Sequence, residues 1–127
     1  MIKIDARSSM PLYEQIQKNI KELIINGAIK SGDELPSIRE LSSIVTINPN
    51  TVRRAYEGLE GEGIIEAIVG SGIFIVKNYE PIFLEENCNI IKNKFKTLIL
   101  EAKYLGFTEE ELFKTFNQCL SFVEGGI

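Results

Sequence analysis

"TINPNTVRRAYEGLE", Thr46 to Glu60, places Asn48-Pro49-Asn50-Thr51 directly ahead of two arginines and a run of helix formers. Asn at the N-cap and Pro at the first helical position make a strong helix start. A helix that only supports a core needs nothing more. Here the first turns also gather small hydrogen-bonding side chains with Arg53 and Arg54, which suits a helix whose tip probes something outside the protein. Val52, Ala55, Tyr56 and Leu59 recur at helical spacing. They predict the buried stripe of a helix from Pro49 to about Glu62, closed by Gly61 and Gly63. Asn50, Arg53, Arg54 and Glu57 are then left to solvent or a partner.

Working back from this stretch, "SIRELSSIV" predicts a short helix joined to the first by the tight connection "VTIN". Ser37 and Glu40 have the spacing of a capping box, and Ile38, Leu41, Ile44 and Val45 mark one apolar face. "KSGDELP" reads as a turn. Before it, "MPLYEQIQKNIKELIINGAI" carries Leu12, Ile16, Ile20, Leu23 and Ile24 at helical spacing, with Pro11 in the first turn and Gly27 at the end. A short extended segment, Ile2 to Ile4, opens the chain. Downstream, "IIEAIVGSGIFIV" alternates as two strands around a Gly70-Ser71-Gly72 turn. Three helices, the last two tightly joined, then a β-hairpin: this is the order of a winged helix-turn-helix. In that α+β unit the second helix of the pair enters the major groove, and the wing reaches the flanking backbone or minor groove.

The composition narrows the function classes. The 127 residues allow one domain, or a small domain with an appendage. No apolar run approaches the roughly 18 residues of a membrane span, and the N-terminus lacks the features of a signal peptide, so a cytoplasmic location is expected. Cys88 and Cys119 fit reduced thiols on apolar helical faces rather than a disulfide. The chain has no histidine, which removes the commonest general base and metal ligand. No nucleophile has an evident partner base, so neither an enzyme nor a metal or other cofactor is expected. The formal charge is −4; residues 1–77 hold nine basic and ten acidic side chains, and residues 78–127 five and eight. Contact with phosphate must therefore come from local placement of cations.

Residues 1–77 form the expected DNA-binding domain, and residues 78–127 a helical tail joined through "KNYEP". Leu84, Cys88, Ile91, Phe95, Leu98, Ala102 and Leu105 alternate at spacings of four and three, a helix-pairing periodicity that Gly106 breaks. Thr108 and Glu111 form a second capping box, and Leu112, Phe116, Cys119 and Val123 stripe a last helix. A two-helix hairpin is too thin to bury both stripes alone. A homodimer built through residues 82–124 is expected to cover them. The alternative is a hairpin folded back on its own N-terminal domain.

From Pro11 to Ile75 the sequence resembles the GntR family of bacterial transcription factors. The ordered motifs are P-L-Y-x-Q-I, G-D-x-L-P-S-x-R-E-L, N-P-N-T-V, A-Y-x-x-L-E-x-E-G and G-x-G. The short tail resembles the YtrA-type subgroup. The resemblance implies a repressor of a transporter operon, and it implies DNA contacts by Arg39, Asn48, Asn50, Thr51 and Arg53. It also brings the backbone of Gly70 close to the minor groove, with Ser71 a candidate by adjacency. Two departures stand out: Pro49 replaces a common basic residue, and the wing has no Arg or Lys.

The chemistry fits these positions. Unpaired N–H groups at the start of the third helix would favour a phosphate. Thr51 can donate to phosphate, Asn50 can pair with adenine, and Arg53 can clamp guanine or phosphate. Arg39 reaches backbone, and Arg54 either joins the contacts or pairs with Glu57. The competing readings are a winged-helix module for protein assembly, which predicts no DNA affinity, and a regulator sensing a small molecule, whose identity the sequence does not give.

Overall fold

The computed structural model describes residues 2–76 and 85–125. These fall into two compact units, one on each side of the undescribed segment, which also contains Leu84 and the expected boundary at residue 77. The first unit contains α1 (Leu12–Ile25), β1 (Glu34–Leu35), α2 (Ile38–Val45), α3 (Pro49–Gly61), β2 (Ile65–Ile68) and β3 (Gly72–Ile75). The sheet is antiparallel in the order β1-β3-β2, with Ile65 opposite Ile75 and Leu35 opposite Ile73. This is the winged helix-turn-helix expected from the element order.

One core joins the pieces. Ile16 and Ile20 of α1, Leu41 of α2, Val52, Ala55, Tyr56 and Leu59 of α3, and Leu35, Ile64, Ile65 and Ile75 from the sheet are all buried together. Each large aliphatic side chain contributes roughly 1.5–3 kcal/mol by leaving water. The side opposite α3's stripe is consequently held outward.

Two expectations need correction. "KSGDELP" is not only a turn, because Glu34 and Leu35 pair with Phe74 and Ile73 as a third strand. Ile44 does not share the core face of α2; it is 70 % exposed. On an α-helix Ile38 and Val45 lie about 50° to one side of Leu41, and Ile44 about 60° to the other. The core occupies the first side.

The N-terminal arm is extended but belongs to no strand. Its backbone bonds go to two amide side chains one helical turn apart. Asn19 bridges the N–H and C=O of Lys3, and Gln15 bridges those of Asp5 while also donating to the Met10 carbonyl. Gln15 is buried with these partners, so its desolvation is compensated, and Ile2 and Ile4 rest on the core.

The second unit is α4 (Glu85–Tyr104) and α5 (Glu109–Gly125). The Thr108 hydroxyl accepts from the Glu111 N–H, and the Glu111 carboxylate accepts from the Thr108 N–H, so the capping box forms. Phe95 and Phe116 meet at a centroid distance of 6.3 Å. Cys88, Ala102, Leu112 and Val123 are half-buried, whereas Ile91, Phe95, Leu98, Leu105 and Phe116 remain exposed. Ile90, Leu100, Tyr104, Phe113 and Leu120 extend this apolar surface beyond the heptad seam. Both cysteines are free. No helix among the described residues is long and apolar enough to cross a membrane.

Candidate nucleic-acid interface

Local chemistry fixes the angle between α2 and α3. The Ser37 hydroxyl accepts from the Glu40 N–H while the Glu40 carboxylate accepts from the Ser37 N–H, which starts α2 as the sequence requires. At the turn, the Ser42 hydroxyl donates to the Ile47 carbonyl and the Ile47 N–H donates to the Ser42 carbonyl. Tyr56, buried on α3, donates its hydroxyl to the Pro36 carbonyl at 2.8 Å. Burial, with the nearby Glu40 charge, pushes this phenol well above its usual range, so it stays a donor. The bond contributes about 1 kcal/mol and ties α3 to the entry of α2.

The turn itself runs through Thr46 at φ 55°, ψ 52°, the left-handed conformation. A β-branched residue adopts it at a cost of about 1–2 kcal/mol. Thr46→Gly is therefore expected to stabilise the protein. Part of the gain is offset by the greater freedom of glycine in the unfolded chain, leaving about 0.5–1 kcal/mol. A melting temperature a few degrees higher is the expected reading, and a lower one would refute the assignment of strain.

At the start of α3 the structure departs from expectation. Pro49 has no N–H. The Asn50 N–H donates to the Asn48 side chain at 2.8 Å, and the Thr51 and Val52 N–H groups reach the Asn48 carbonyl at 2.9 and 3.3 Å. The amides expected to be open for a phosphate are already partnered. Side chains must make the polar contacts here. Asn48 uses its carbonyl oxygen as the cap and keeps its amide hydrogens for a donor role.

The candidate side chains are disposed as follows. Asn48, Asn50 and Arg53 are exposed and Thr51 half-buried on the first turns of α3, and Arg39 is exposed at the start of α2. Arg39, Asn50, Thr51 and Arg53 have no side-chain hydrogen bond or ion pair among the described residues, where Lys21–Glu62 is the ion pair present. Arg54 does not pair with Glu57. Its guanidinium carbon lies 3.9 Å from the centroid of the Tyr13 ring on α1. Glu57 stays exposed on the same outward face, where a carboxylate repels phosphate but can accept from a cytosine amino group.

The wing tip is Val69-Gly70-Ser71, closed by the Ser71 N–H on the Ile68 carbonyl at 3.0 Å. Gly70 takes φ 80°, and Gly72 takes φ 134° with a place for its Cβ only 2.8 Å from a Glu34 carboxylate oxygen. Gly70 and Ser71 are exposed, and Val69, which the residue patterns did not single out, is 101 % exposed. With no cation at the tip, contacts there fall to backbone, the Ser71 hydroxyl and an apolar side chain. Tyr13 also went unassigned in the sequence, although it stands in the P-L-Y motif. No group of three or more potential metal ligands occurs among the described residues.

Comparison with known proteins places this geometry in context. Residues 12–75 match the family described as bacterial regulatory proteins, gntR family. Over 126 residues the chain is 46 % identical to the HTH-type transcriptional repressor YtrA of Bacillus subtilis (strain 168), covering 99 % of this chain and 97 % of that protein. Its fold is similar to the crystal structure of a transcriptional antiterminator from Listeria monocytogenes EGD-e, with TM-score 0.88, 34 % identity, and coverage of 98 % and 92 %. Over part of its length the chain is also similar to the N-terminal domain of AraR in complex with mutant ORR3, at TM-score 0.50 and 27 % identity, covering 53 % of this chain and 96 % of that one.

Proposed function

The chain belongs to the gntR family of bacterial regulatory proteins, and from that premise we propose that it is a cytoplasmic repressor that binds a palindromic operator as a homodimer. Residues 1–77 are the DNA-binding domain in this reading, and 78–127 the dimerisation tail. The observation that carries it is the set of side chains Asn50, Arg53 and Arg39, exposed, and Thr51, half-buried, left without partners among the described residues on a helix pair whose other face is locked into the core. A packed support helix has no use for them.

Roles follow from chemistry. Arg53 reads guanine and Asn50 reads adenine in the major groove. Asn48, Thr51 and Arg39 hold the phosphate backbone and fix register. Gly70 and Ser71 bring the wing's backbone to the flanking groove. The exposed apolar residues of α4 and α5 supply the dimer seam, because so many leucine, isoleucine and phenylalanine side chains left exposed on two helices mark an association surface. Symmetry then doubles a small set of cations, so a net acidic protein binds DNA with steep salt dependence. A transporter operon as the target rests on the subgroup resemblance alone.

Selection of bound sequences from random duplex DNA, with the mass of the complex measured in solution, tests the reading. An enriched palindrome bound by two chains is the expected outcome. No enrichment at low salt would favour a winged-helix module used for protein assembly.

A further inference from the structure

Two adjacent arginines on α3 meet different surroundings. Arg53 has no partner among the described residues. Arg54 lies flat over Tyr13, 3.9 Å from the ring centroid. At 3.6 residues per turn the two side chains leave the helix about 100° apart. Arg54 falls toward the side where Gly58 faces Gln17 of α1. Contact on that side is close: Gln17 donates from Nε2 to the Ala55 carbonyl, and a Cβ on Gly58 would collide with the same Gln17 amide. The Tyr13 ring is itself packed against the core, so the platform is fixed.

Building on the DNA-binding reading above, we infer that Tyr13 is a positioning residue that holds the Arg54 guanidinium ready for a DNA phosphate, dividing the arginine pair into a base reader and a backbone clamp. The stack uses the ring face and the face of the guanidinium. The donors of a guanidinium lie in its plane, around the rim. None of those of Arg54 is taken by a hydrogen bond or ion pair among the described residues, so stacking orders the side chain without consuming its hydrogen bonds. A free arginine loses much of its rotamer freedom when it grips a phosphate. Arg54 has given up that freedom in advance, within the protein. The planar fork then meets two phosphate oxygens in its preferred geometry. Arg53, unrestrained, keeps the freedom to follow a base edge.

The test uses the full-length protein, the duplex recovered by selection and a scrambled duplex of equal composition. Binding is measured from low to moderate salt. Arg54→Ala is expected to weaken both duplexes alike and to flatten the slope of log K against log salt by about 1.8 for two copies. Tyr13→Leu is expected to cost about 10-fold with the slope unchanged, because the clamp still forms but must first be ordered. Tyr13→Phe, which keeps the ring, is expected to bind as the parent does. In an Arg54→Ala background Tyr13→Leu is expected to cost nothing further. Thermal melts of each variant separate these effects from loss of fold. An unchanged slope for Arg54→Ala overturns the inference, as does a Tyr13→Leu loss that persists without Arg54, or a loss in Tyr13→Phe. If the parent protein binds neither duplex, the DNA-binding reading itself fails. If it binds, and Arg53→Ala alone destroys the preference for the selected duplex, only the assignment of Tyr13 and Arg54 is at stake.

Discussion

Arg53→Ala is expected to weaken operator binding at least about 30-fold while leaving the melting temperature where it was. A bidentate arginine–guanine contact discriminates by about 1–3 kcal/mol. Two copies on a symmetric operator double this to about 2–6 kcal/mol, and each 1.4 kcal/mol is a factor of ten. Stability is spared because Arg53 is exposed and has no partner among the described residues. The loss should be selective: scrambled duplex should suffer far less, since a base contact carries the sequence preference and phosphate contacts do not. Titration of both duplexes by gel shift provides the measurement. Equal binding by Arg53→Ala and the parent would remove Arg53 from the interface and with it the orientation assumed for α3. Arg53→Lys sharpens the point. It keeps the charge but loses the planar fork, so non-specific affinity should return while the preference for the selected sequence does not.

The fold was legible where sequence-local chemistry decides it. Ser37 with Glu40, Asn48 with Pro49, and Thr108 with Glu111 are helix starts whose partners lie within one turn, and all three form. The stripe Val52, Ala55, Tyr56 and Leu59 is buried as its spacing requires. What escaped was non-local. Glu34 and Leu35 form a strand only because β3 arrives beside them from far along the chain. Ile44 has the right spacing but the wrong side of Leu41, and only the position of the other helices decides which side is inside. The arm's hydrogen bonds to Gln15 and Asn19 follow the same rule.

For the candidate interface, the residue types were readable and their availability was not. Asn48-Pro49 announces a helix start, yet the same residues take up the amides that a bare start would offer to a phosphate. Arg54 and Glu57 stand at a spacing that permits an ion pair on an isolated helix. The Tyr13 ring, brought in by α1, wins because stacking on a fixed, partly buried aromatic outcompetes an exposed pair that water screens. Family membership supplies the function class, and the tertiary contacts supply the division of labour.

Leu98→Asp is expected to convert a two-chain particle into single chains and to remove most operator binding, with the first unit still folded. Leu98 lies midway along α4, in the seam proposed above, and is 59 % exposed in the single chain, so the substitution asks little of the protomer itself. In a dimer the same side chain is covered. Covering the part still exposed contributes roughly 1–2 kcal/mol per copy, and an isolated carboxylate there adds a desolvation cost on each chain. Counted on both chains the loss is about 5 kcal/mol or more, on the order of a 10³-fold rise in the dimer dissociation constant. A monomer grips one half-site with one set of cations. Its salt slope should therefore be about half that of the parent, because the slope scales with the number of phosphates neutralised. Sedimentation gives the mass, and a salt titration gives the slope. A variant that stays two-chain while Leu105→Asp, one heptad on, also stays two-chain would place the seam elsewhere. Variants that become single chains yet keep parental affinity and slope would detach dimerisation from DNA binding altogether. The expected pairing of the two losses is what a tail that sets half-site spacing demands.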